Sequence, residues 1–170
     1  GNFIPIEERI GLLDRKLRII NENVQDSIEW LAAAQNAFKN VYAFEWQGDS
    51  LLLARESMLI TFIENYKMKF KNEPMTKYIK SIAEIISYNV WQMDGLKFVV
   101  PNSCHAKPTQ SHNLFGDIEI NTNECEGCIS NNFTKHNGIY CEIIDWKSEE
   151  VGTKTKGKKI KFIDLLIKKT

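Results

Sequence analysis

The order of apolar patterns along the 170 residues predicts an α/β fold, with parallel strands flanked by helices. Two observations carry it. A short β-branched and aromatic run, VYAFEW (41–46), is followed by two helical periodicities and then by a second apolar run, NVWQM (89–93). That strand–helix–strand order is what a parallel crossover requires. Each run also ends at or beside a carboxylate, Glu45 and Asp94, and the carboxyl ends of parallel strands are where loops converge on ligands.

Taken in order, PIEERIGLLDRKLRIINENV places Ile6, Ile10, Leu13, Leu17 and Ile20 near one helical face, with Pro5 at its first turn. QDSIEWLAAAQNAFKN reads as a second helix, capped by Asp26 or Ser27 and ending near Asn40. VYAFEW favours a buried strand because branched and aromatic side chains fit a pleated surface. GDSLLLARESMLITFIENYKMKF and PMTKYIKSIAEIIS restart helical spacing ahead of the second strand. Beyond Pro101 the chain turns polar, holds all three histidines and lacks periodic apolar positions, so 101–141 is expected to be a loop-rich insertion. IYCEIIDW resumes as a strand, a lysine-rich loop follows, and IKFIDLLIKK suits either a strand or a helix. The expected division is 1–100, 101–141 and 142–170.

Composition sets outer bounds. Hydrophobic residues at 43% and aromatic ones at 11% suffice for a core, and 22 basic residues balance 22 acidic ones. No global field therefore draws the chain to nucleic acid or to an anionic membrane. No apolar run approaches the roughly 20 residues of a membrane span, and the first residues lack the pattern of a signal peptide, so a cytoplasmic location is expected. Opening on Gly1, in GNF, the sequence reads as a piece of something larger.

Three groups of residues carry candidate chemistry. An acid at a strand end, such as Glu45, can accept both hydroxyls of a ribose, or it can simply cap a helix or face solvent. Asp94 followed by Gly95 is also a common turn pair, and taken alone the turn is the plainer reading. Cys125 and Cys128, in ECEGC, have the spacing at which one turn presents two thiolates to a metal. Cys104 and Cys141 would complete a four-cysteine zinc site, with His105 and His136 as further candidates. Reduced cysteines without a ligand are the competing reading, and a disulfide is the least expected in a reducing compartment. The lysines between 154 and 161 can touch phosphate or form a solvated loop.

Together, VYAFEWQGDSLLLARESMLITF and IISYNVWQMDGL resemble the cofactor-binding half of the adenine-specific DNA methyltransferases of restriction and modification systems, which use S-adenosylmethionine. The resemblance implies a Rossmann-like methyltransferase core, incomplete at both ends, with the cysteine-containing segment as an insertion. It implies that Glu45 holds the cofactor ribose and that Asp94 accepts from the adenine amino group. Trp46 and Leu96 would cover the two adenine faces. GNF is similar to the end of the family's glycine-rich loop, which assigns Gly1 and Phe3 to the cofactor as well. DNA would be a partner through the parent protein. The family's catalytic Asp/Asn/Ser-Pro-Pro-Tyr/Phe loop is missing, since Pro5, Pro74, Pro101 and Pro108 are isolated. These residues alone are therefore not expected to methylate, and no catalytic residue is assigned. Two other classes fit the same sequence: a zinc-stabilised module binding nucleic acid or protein, and a methyltransferase acting on RNA or protein.

Overall fold

The computed structural model describes residues 4–112, 118–147 and 157–167. It is mixed α/β and divides into two compact units, one built from 1–43 and 47–91, the other from 44–46 and 92–170. The change of character at Pro101 thus falls inside the second unit.

The first unit packs four helices, α1 (Leu12–Asn23), α2 (Ser27–Lys39), α3 (Gly48–Phe70) and α4 (Thr76–Asn89). Phe62, Tyr66 and Phe70 recur every four residues and so share one face of α3. All three lie against the fully buried Trp30 of α2, at ring centroid distances of 5.9, 5.5 and 5.8 Å. The Trp30 indole N–H donates to Asn21 Oδ1, Asn21 Nδ2 donates to the buried Asn65 Oδ1, and Asn65 Nδ2 donates to the Thr61 carbonyl. A polar chain this deep is tolerated because each member has its partner. Asn89, also fully buried, donates to the carbonyls of Phe38, Lys39 and Val41 and so satisfies the end of α2.

Helix α3 runs over the whole predicted stretch, and Asp26 is the cap of α2, its Oδ1 accepting from the Ile28 and Glu29 amides. The first helix differs from expectation. A 3-10 turn over Ile6–Glu8 ends at an extended Arg9, and α1 begins only at Leu12. Side-chain bonds hold the break open. The Arg9 guanidinium donates to the Ile4 carbonyl and to Glu64, while Arg18 donates to the Arg9 carbonyl. Ile10, expected on the apolar face, is exposed.

β1 (Ala43–Glu45) pairs in parallel with β2 (Val90–Gln92), the Met93 amide donating to the Glu45 carbonyl at 2.9 Å. β1 is half-buried, not buried as its composition suggested. Inside the supposed loop region lies an antiparallel hairpin, β3 (Lys107–His112) and β4 (Ile118–Asn123), with Lys107 opposite Asn123. A one-turn helix α5 (Glu126–Ser130) follows. β5 (Glu142–Asp145) then pairs antiparallel with β6 (Lys158–Lys161), which leads into α6 (Asp164–Ile167), so the ambiguous last run supplies one of each. Among the described residues parallel pairing is confined to β1 and β2. No described helix is long and apolar enough to cross a membrane.

Candidate metal centre

Cys104, Cys125, Cys128 and His136 converge, their ligand atoms all lying within 4.8 Å of one another. Cys104 stands in the loop leading to β3, and Cys125 caps α5 directly after β4, so the two ends of the hairpin are drawn to one point. One turn of α5 then presents Cys128. The three sulfurs sit 3.6, 3.6 and 3.7 Å from His136 Nδ1. A regular zinc tetrahedron with Zn–S near 2.3 Å and Zn–N near 2.0 Å has S···N edges of about 3.5 Å. The three S···N spacings are thus close to those that a tetrahedral ion imposes.

The surroundings suit thiolates. Burial pushes the Cys125 thiol up, but amide donors from Asn137 and Cys128, with His136 and Cys104 beside it, outweigh burial and bring it down to about 6. Burial and the neighbouring Cys125 and Cys128 push the Cys104 thiol up to about 11. Three sulfurs in one place repel one another's charge, and a divalent cation is the natural resolution. The Asn137 amide donates to Cys125 Sγ at 3.3 Å, and Lys97 Nζ lies 3.7 Å from Cys128 Sγ. Behind the imidazole, the Tyr140 hydroxyl accepts from the His136 amide and donates to the Phe133 carbonyl, fixing the histidine backbone.

His136 takes the fourth position that the sequence assigned to Cys141. Cys141 is fully buried among the apolar residues leading into β5, where burial pushes its thiol up to about 12. It is a packing residue, consistent with the apolar IYCEII setting around it. His105 is exposed and stands outside the cluster.

Two glycines were not legible as site residues. A Cβ on Gly127 would stand 2.6 Å from the His136 amide and 2.8 Å from the Asn132 carbonyl, and one on Gly138 would stand 3.0 Å from Cys104 Sγ. The turns close only because those atoms are missing. Gly95 is the contrast, since a Cβ there meets nothing within 4 Å. Gly127→Ala is therefore expected to lower zinc affinity about tenfold or more, as loss of the contacts that orient a ligand side chain does. Gly95→Ala should leave it unchanged and alter unfolding free energy by under about 1 kcal/mol. Competition with a chromogenic chelator and urea titration check both.

The second candidate group lies at the ends of β1 and β2. Glu45 Oε1 accepts from the Trp46 amide, and the Gln92 side chain donates to the Trp46 carbonyl. Asp94 is 5% exposed, and its Oδ1 accepts from the Leu96 and Lys97 amides at 2.9 and 3.2 Å, so the turn read from Asp-Gly is present. Trp46 is 50% exposed and Leu96 89%. Gly1, Phe3 and the first two lysines of the run, Lys154 and Lys156, lie outside the described residues, while Lys158, Lys159 and Lys161 stand in β6.

No family model, curated protein or solved structure matches this chain.

Proposed function

We propose that this chain is the cofactor-binding part of an S-adenosylmethionine-dependent DNA adenine methyltransferase, in a Rossmann-like core whose insertion is braced by a structural zinc ion. The observation that carries the cofactor reading is the parallel pairing of β1 with β2, linked through α3 and α4. Parallel strands put Glu45 and Asp94 at the same end, the end at which such pairs receive ligands. Glu45 would hold the ribose hydroxyls through its two acceptor oxygens, and Asp94 would accept from the adenine amine. The exposed indole of Trp46 and the exposed Leu96 offer apolar area for the adenine faces. When bound, the cofactor supplies the methyl group. The chain's own residues orient it, and none of them forms the Pro-Pro loop that would hold the target amine.

The zinc reading rests on the S···N spacing of the Cys104, Cys125, Cys128 and His136 cluster. Three thiolates and an imidazole, with no open position for water, make a structural rather than a hydrolytic site. The same cluster also favours the second reading, a zinc-braced binding module without a cofactor, and cofactor affinity separates the two.

Calorimetry of S-adenosylmethionine with the protein tests the proposal. Glu45→Ala is expected to weaken binding by about 2 to 4 kcal/mol, through loss of charge-assisted hydrogen bonds to two hydroxyls. Asp94→Ala should cost somewhat less. Unchanged affinity in both variants would leave the module reading.

A further inference from the structure

We propose that the metal centre holds the Asp94 turn in place, with Lys97 as the positioning residue between them. This rests on the zinc reading above. The turn itself is tight: the Asp94 carbonyl accepts from the Lys97 and Phe98 amides, and the Asp94 amide donates to the Val99 carbonyl at 2.8 Å. To close it, Phe98 takes a φ of +59°, a left-handed conformation that a bulky residue keeps only when its surroundings enforce it.

Those surroundings come from the metal-binding segment. Lys97 Nζ reaches Cys128 Sγ at 3.7 Å. The Phe98 ring stands edge-on to Phe133, 5.5 Å between centroids, in the loop between Cys128 and His136. The Phe98 carbonyl accepts from the Cys141 amide, Val99 bridges Tyr140, and the Val100 amide donates to the Ile139 carbonyl. Tyr140 in turn fixes the His136 and Phe133 backbones through its hydroxyl. Successive residues after Asp94 are thus fastened to the stretch between the third and fourth ligands and just past it.

Charge points the same way. Three thiolates, a neutral imidazole and Zn²⁺ sum to one negative charge, and the Lys97 ammonium is placed against the ligand sulfur that is most exposed. Ion loading therefore draws Lys97, and with it the amides that donate to the Asp94 carboxylate, toward the centre.

Hydrogen exchange read by mass spectrometry on the whole protein tests this, comparing zinc-loaded protein with protein stripped by a strong chelator. Exchange in 94–100 should accelerate about tenfold or more on stripping, while 28–38, around Trp30, stays protected. Zinc-loaded Lys97→Met should show about threefold faster exchange in 94–100 and several-fold weaker zinc binding, both restored by Lys97→Arg. Zinc taken up and released with no change in 94–100 overturns the proposal and leaves the zinc reading standing. Lys97→Met matching the wild type in both readouts overturns the role of Lys97, and a protein that takes up no zinc overturns proposal and zinc reading together.

Discussion

Cys125→Ser is expected to lower bound zinc from about one equivalent to near zero and to unfold the stretch from Cys104 to Cys141, with α1 to α4 intact. The size of the effect follows from what the ion replaces. Among the residues of 101–141 whose side chains are described, the buried apolar ones are Cys125 and Cys141, with His136 buried beside them. Structural zinc contributes about 10 to 16 kcal/mol in small zinc-binding peptides, as much as the whole stability of an ordinary domain. Among the described residues of this stretch, no apolar cluster of comparable size joins α5 to the His136 loop. Cys141→Ser is the control: it should keep the zinc and lose only about 1 to 3 kcal/mol, the cost of a polar group in an apolar site. Metal analysis by plasma emission, with urea unfolding of each variant, reads both outcomes. Because the thiols and the imidazole must be deprotonated to bind, zinc affinity should fall as pH is lowered.

The first unit has its own weak point. Trp30→Ala should destabilise it by about 4 to 5 kcal/mol, at the upper end for large-to-small core changes. The indole is fully buried against three rings of α3, and its N–H is the donor that satisfies Asn21 Oδ1. Removing it leaves a cavity and takes the donor from the part-buried Asn21 Oδ1 next to Asn65, two costs that add. Trp30→Phe should recover most of the packing and isolate the lost hydrogen bond, at about 1 to 3 kcal/mol. Thermal unfolding followed by far-ultraviolet circular dichroism, which reports the helical unit, gives the comparison.

What could be read from the chain followed how local each signal was. α3 and α4 were legible because their apolar spacing runs for several turns, and β1 and β2 because branched and aromatic residues cluster just before and just after that helix pair. The break before α1 was not, since it depends on Arg9 reaching Glu64, 55 positions away. The β3–β4 hairpin was hidden because Lys107–His112 is polar throughout and only Ile118 and Ile120 alternate with polar residues in its partner, too short a signal to mark a strand pair, and Cys104 and Cys125 stand just outside its two ends. The Cys-x-x-Cys pair announced the metal centre, but choosing its fourth ligand needed the fold. Cys141 looked equivalent to His136 in sequence, yet it sits in an apolar strand run while His136 sits in a polar turn closed by Gly127 and Gly138. Lys97 carried no signal at all, because its partner Cys128 is 31 positions on.

On the reading proposed above, the fold of the second unit and the placement of Asp94 both depend on one tetrahedral ion with three sulfurs and one nitrogen. X-ray absorption at the zinc edge of the loaded protein measures that set directly. Cys104, Cys125, Cys128 and His136 predict three Zn–S distances near 2.3 Å and one Zn–N near 2.0 Å, reduced to two sulfurs in Cys104→Ser and unchanged in Cys141→Ser. Four sulfurs in the wild type, or loss of a sulfur in Cys141→Ser, would contradict it.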